Sequence, residues 1–159
     1  MTAVAEWRLL VLGLGNDILT DDAVGLLVAR AVAAQLKDHP EIAVHETTEM
    51  GLALLDEIAD FDALILVDAV QTGRTPPGHI HECDIADLPQ VTATSPHFVG
   101  AGETLALGRR LGIAMPERVR VIAIEVADPF TLGTQPTTAV QKAVGLAVDR
   151  VIALARDGF

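Results

Sequence analysis

An α/β fold on a mostly parallel sheet is what this chain predicts, and three observations predict it. Residues 9–14 (Leu-Leu-Val-Leu-Gly-Leu) form an unbroken apolar run, the mark of a strand buried on both faces. A helical pattern over residues 20–37 separates that run from a second strand at 42–46. A third strand, strongly apolar, follows at 63–67 after another helical pattern, so that β-α-β-α-β fills about 60 residues, as in a parallel sheet with helices on its faces.

Each element has a local reason. In the first helix Thr20 is the expected cap, and Val24, Leu27, Val28, Ala31 and Val32 recur on one face. Residues 50–59 place Leu52, Leu55, Ile58 and Ala59 at helical spacing. The turn at 72–78, Thr-Gly-Arg-Thr-Pro-Pro-Gly, leads into an edge strand at 79–83. A polar stretch spans 84–96, and a helix is expected over 97–111, a strand over 118–126 and a closing helix over 137–155, capped at Thr137 or Thr138. No repeat or linker divides the chain, so residues 1–159 are expected to form one domain.

Composition narrows the function. No run of about 18 uncharged apolar residues is present, which predicts no membrane partner. Residues 1–8 lack the basic start of a secretory signal, which predicts a cytoplasmic protein. Cys83 is the single cysteine, which excludes an internal disulfide framework and a multi-cysteine zinc site within one chain. Its thiol reads as a small half-buried residue on the edge strand rather than as a nucleophile. The net charge of −11 argues against nucleic acid and is compatible with a cation or a basic partner segment.

The chemistry-bearing positions fall where strands end or helices begin. Gly13-Leu14-Gly15-Asn16 suggests a dinucleotide fingerprint, but the third glycine would fall at Ile18 and is absent. Asp17, Asp21 and Asp22 would also repel a pyrophosphate there, so no nucleotide is expected. Asp21 and Asp22 on their own are explained by the helix macrodipole, which favours acids in a first turn. Asp68 is different, because five apolar residues lead straight to a carboxylate at the carboxyl end of a central strand, the edge where open sheets bind ligands. His97, after Ser95-Pro96, opens a helix; taken alone it reads as a surface or capping residue. His79 and His81 share one strand face and read as a solvated edge rather than a metal pair, while His39 and His45 lack comparable placement. Thr47 and Thr48 either line a cleft or cap the next helix, and Phe130 reads as core before partner anchor.

Taken together, the G-x-G-N start with its acidic pair, the apolar strand ending Asp68-Ala69, and Ser95-Pro96-His97 opening a helix resemble the hydrogenase maturation proteases. The resemblance runs from about Leu9 to Ala155, nearly the whole chain. It implies a three-layer fold, a twisted, mostly parallel five-stranded sheet flanked by helices on both faces. It implies that Asp22, Asp68 and His97 bind a metal and carry the reaction. It also implies the partner, a nickel-loaded nickel-iron hydrogenase large-subunit precursor whose C-terminal extension is removed. The first motif of the family often carries Glu, so Asp22 is one methylene shorter, and the metal would sit nearer the helix or take a water. The turn after the second strand, tied to substrate choice in the family, reads Glu46-Thr47-Thr48-Glu49-Met50-Gly51, with Glu46 and Thr47 as candidates for that role.

The expected mechanism is therefore an endopeptidase guided by nickel that the substrate presents, of aspartic or metal-assisted type. Carboxylate and imidazole ligands suit a borderline divalent ion without selecting nickel. No Ser-His-Asp set, H-E-x-x-H helix or D-T/S-G sequence appears, which leaves a water activated by the metal or by a carboxylate as the nucleophile. The alternative is a non-hydrolytic metal-binding chaperone that checks nickel on the same partner with the same three ligands. The protein is expected to be a monomer that pairs transiently with its substrate.

Overall fold

The computed structural model describes residues 6–87 and 96–158, with the backbone alone for 96–99. The sequence-predicted sheet is present. It comprises β1 (Leu9–Leu14), β2 (Ile42–Thr47), β3 (Ala63–Val70), β4 (Ile80–Asp84) and β5 (Arg118–Glu125), in the order β2-β1-β3-β5-β4. Leu9 pairs in parallel with Ile42 on one side and Ala63 on the other, and Ala63 with Arg118. Only β4 runs antiparallel, Ile80 opposite Ile124, as an edge strand among the described residues. Every residue of β1 and β3 is buried, which is why both read as unbroken apolar runs.

Alternation along the strands divides the core into two layers. Leu9, Val11, Ile65, Val67, Ile122 and Ile124 face α1 (Val24–Gln35) and α4 (Thr138–Asp157). Leu10, Leu12, Leu64, Leu66, Val121 and Ala123 face α2 (Ala53–Ile58) and α3 (Pro96–Arg110). The architecture is thus the expected three layers, with Asp68 continuing the Leu64, Leu66 side.

The strand order creates a switch point. From β1 the chain crosses through α1 to β2 on one side, whereas the connections after β3 lead to the other side, so the carboxyl ends of β1 and β3 border a crevice. Close approach at Gly25 holds α1 against both strands. A Cβ there would lie 2.2 Å from the Leu14 carbonyl oxygen, 2.5 Å from that of Val67 and 3.2 Å from the Asp68 Cα. Any larger residue would push the first helix off the sheet and carry Asp22 away from Asp68.

The first two helices depart furthest from expectation. Residues 20–23 form a 3₁₀ turn, and the α-helix begins at Val24. Thr20 does not cap it; its hydroxyl donates to the Thr131 carbonyl, and the Asp21 amide donates to the Asp128 carbonyl at 3.0 Å. These long-range bonds tighten the start that local pattern alone would have made α-helical. The second helix shortens to 53–58, and Leu52, expected on its inner face, is exposed.

Candidate functional site

Asn16 shapes the turn that delivers the first acid. Its side-chain oxygen accepts from the Ile18 amide at 3.2 Å, its carbonyl accepts from Leu19 at 3.3 Å, and its amide donates to the Asp22 carbonyl at 3.2 Å. An Asx turn of this kind lets the chain reverse over the strand end without a third glycine. Asp22 emerges half-buried from the 3₁₀ turn, whose packing on β3 brings it to the switch point. Asp68 is fully buried at the end of β3, and its Oδ1 accepts from the Ala69 amide at 2.7 Å. His97 is the second residue of α3, the helix covering the sheet face that Asp68 occupies; its side chain lies outside the described residues. Among the described residues no three His, Cys, Asp or Glu side chains lie close enough to hold a metal. The two carboxylates offer oxygen ligands, and a third ligand from His97 would complete a mixed oxygen and nitrogen set with positions open to a substrate.

Asp21 does something that the macrodipole reading missed. It is fully buried, and its Oδ2 accepts from the amides of Ala127 at 2.9 Å and Asp128 at 2.8 Å. Its Oδ1 accepts from the Thr137 amide at 2.6 Å, and the Thr137 hydroxyl lies 2.9 Å from both oxygens. Thr137, the expected cap of α4, therefore turns its side chain to Asp21 and makes no capping bond to its own helix. One carboxylate ties the segment after β5 to the turn that carries Asp22. Donors 106 to 116 residues away leave no local signal in the sequence.

A third buried carboxylate lies at the same edge of the sheet. Glu125 ends β5 opposite Val70 and is 1 % exposed. It accepts from the Thr72 amide at 2.7 Å, the Thr72 hydroxyl and the Thr75 hydroxyl at 2.8 Å, with His81 Nε2 at 3.2 Å. Burial pushes its carboxyl up, but the bonds from Thr72, Thr75 and His81 more than offset this, and the net shift is below the ordinary glutamate value. The stabilisation from a depressed carboxyl is complete above its unfolded value and disappears as pH falls through the folded one. Glu125→Gln is therefore expected to lower unfolding free energy at neutral pH by about 1–3 kcal/mol, since an amide hydrogen replaces one acceptor. The deficit should shrink as pH is taken from neutral to acid values below the ordinary glutamate range, toward the lowered folded value at which wild-type Glu125 itself takes up a proton. Urea unfolding at both pH values checks this; an equal deficit at both would separate the effect from the charge.

Several expectations change accordingly. At the sheet edge His79 is exposed as expected, but His81 is part-buried and bonded to Glu125, the two rings 4.7 Å apart in an edge-to-face contact. Phe130 is not core but 77 % exposed. Thr47 accepts from the Glu49 amide at 3.0 Å, a local turn rather than a helix cap, and Glu46 is held by Arg30 in a two-pronged pair at 2.7 and 2.9 Å. Cys83 sits half-buried opposite Val121, toward the amino end of β5 and away from the crevice, and burial raises its thiol above the ordinary value. Glu125 was legible in principle, because Val121-Ile122-Ala123-Ile124-Glu125 repeats the apolar-run-to-carboxylate signal that marks Asp68.

Known proteins share this fold. The family model HycI, hydrogenase maturation protease, matches residues 26–154, a span that includes Asp68 and His97 and begins just after Asp22. The hydrogenase 2 maturation protease of Escherichia coli K12 is 31 % identical over 156 residues, covering 94 % of this chain and 92 % of the relative. The HupD hydrogenase expression/formation protein of Rhizobium leguminosarum bv. viciae is 26 % identical over 152 residues, covering 94 % of this chain and 74 % of its own. Among solved structures, the hydrogenase maturating endopeptidase HybD from E. coli superimposes with a TM-score of 0.79 at 26 % identity, covering 95 % of this chain and 94 % of that one. HybD from Thermococcus kodakarensis gives a TM-score of 0.71 at 26 % identity, covering 93 % and 99 %.

Proposed function

Because this chain belongs to the hydrogenase maturation protease family, we propose that it removes the C-terminal extension of a nickel-loaded hydrogenase large-subunit precursor, gripping the substrate's nickel through Asp22, Asp68 and His97. The observation that carries the reading is Asp68, a fully buried carboxylate at the carboxyl end of a central strand, with the Asp22 turn packed against it at the switch point. Nature rarely buries such a group without a task for it, since removing a carboxylate from water is costly. In this reading the metal is part of the substrate. The three side chains recognise it and thereby set the register of the scissile bond against the crevice.

Positioning of this kind supplies several kcal/mol of barrier reduction. The nucleophile is a water, with Asp22 or Asp68 as the base that takes its proton. Side-chain nucleophiles are poorly provided: Ser95 is the single serine of the chain, and the Cys83 thiol is held protonated away from the crevice.

The test is intact-mass spectrometry of the precursor, with and without nickel, mixed with the protein or with its His97→Ala variant. Loss of a C-terminal peptide only with nickel and intact His97 is expected. Cleavage without nickel at the same rate would overturn the metal grip, and a precursor bound but unshortened would assign the protein to nickel checking.

A further inference from the structure

Three large apolar side chains stand in solvent beside the Asp22 turn: Ile18 at 57 % exposure, Phe130 at 77 % and Leu132 at 74 %. They do not hang on a loose loop. Leu19 and Leu132 form an antiparallel bridge, the Gly133 amide donates to the Ile18 carbonyl at 3.0 Å, and the Thr20 hydroxyl donates to the Thr131 carbonyl. The Asp128 side chain accepts from the amides of Phe130 at 3.1 Å and Thr131 at 2.9 Å, and the buried Asp21 carboxylate holds Asp128 and Ala127 from below. The backbone is thus fixed by polar bonds while its apolar side chains remain uncovered by any described residue. Rigid presentation of this kind lowers the ordering cost of association.

We propose that this ridge is the docking surface for the hydrogenase precursor, receiving an apolar segment flanked by lysine or arginine residues; the inference rests on the protease reading above. Two observations select that occupant. The ridge runs directly into the Asp22 turn, whose amide is bonded to the Leu19 carbonyl at 2.7 Å, so a chain seated on it is led to the crevice. Its surroundings are acidic: Asp22 on the 3₁₀ turn, Asp128 in the segment after β5 and Glu49 after β2 lie at this edge of the sheet, and Arg30 is already engaged with Glu46 and Asp17. Negative charge of this kind draws in basic segments and repels a second copy of a chain carrying −11.

The experiment compares wild type with Phe130→Ser/Leu132→Ser and with a control, Leu111→Ser/Leu146→Ser, which removes exposed apolar residues elsewhere on the surface. All four positions are exposed, so each variant should melt like the wild type. Initial rates on nickel-loaded precursor, read by intact mass, are expected to show KM raised at least tenfold in the ridge variant, with kcat unchanged and the control unaffected. Raising salt from low ionic strength to about 0.3 M should raise the wild-type KM as well. An unchanged KM in the ridge variant overturns the docking surface while leaving the protease reading intact. Binding of the same proteins to immobilised precursor separates the opposite failure: a wild type that binds without cleaving refutes the protease reading, and the ridge is then judged on the ratio of dissociation constants. A wild type that fails to bind, or that sediments as a dimer dissociated by the ridge substitutions, overturns the proposal.

Discussion

Replacing Asp68 by Asn is expected to reduce kcat for precursor cleavage by at least about a hundredfold, the scale lost when reacting groups are misplaced by about 1 Å. The substitution preserves size, and the new side-chain oxygen still accepts from the Ala69 amide as Oδ1 does at 2.7 Å. What it removes is the negative charge from a fully buried position on β3. The melting temperature should therefore stay within a few degrees of wild type while turnover collapses, which separates a functional carboxylate from a structural one. Asp22→Asn is a useful companion, because Asp22 is half-buried and its backbone amide and carbonyl bond to the Leu19 carbonyl and the Asn16 amide, which the substitution leaves in place. Single-turnover intact-mass kinetics at saturating precursor would read the effect. A rate within twofold of wild type for Asp68→Asn would mean that this carboxylate neither grips the metal nor handles the proton.

The legible part of this protein is what short-range pattern encodes. Residues 9–14 and 63–67 read as central strands because both faces of each are buried, so alternation vanishes and only an apolar run remains. The same physics made Asp68 conspicuous, since a carboxylate interrupting such a run at the strand end has to be explained. What escaped was set by long-range partners. His81 lies on the edge strand as expected while His79 falls just before it, and the burial of His81 depends on β5 supplying Glu125, 44 residues later. Thr20 and Thr137 have the composition of caps, yet both hydroxyls serve other segments of the chain. Phe130 looked like core because large apolar side chains usually are, and nothing in its neighbours foretold that polar bonds would fix the loop with the ring outside.

Asp21→Ala is expected to cost about 3–5 kcal/mol of stability, because it strands several donors inside the protein at once. The amides of Ala127, Asp128 and Thr137 and the Thr137 hydroxyl all turn to this carboxylate, and no water-facing alternative exists for a side chain with 0 % exposure. For a chain of this size that loss corresponds to roughly 6–20 °C in melting temperature. Asn should recover only part of it. Whichever way the amide is turned, its single oxygen can serve either the Ala127 and Asp128 pair on Oδ2 or the Thr137 amide on Oδ1, leaving NH₂ hydrogens against the other donor. A functional consequence follows from the same bonds, since they anchor the base of the segment carrying Phe130 and Leu132. Well below its melting temperature, Asp21→Ala should show a raised KM for the precursor, resembling the ridge variant, on top of its thermal deficit. Scanning calorimetry and precursor kinetics on Ala and Asn variants read both. A melting temperature within about 2 °C of wild type for Asp21→Ala would show that the segment is held by other contacts. A large thermal loss with an unchanged KM would confine Asp21 to folding and detach it from substrate capture.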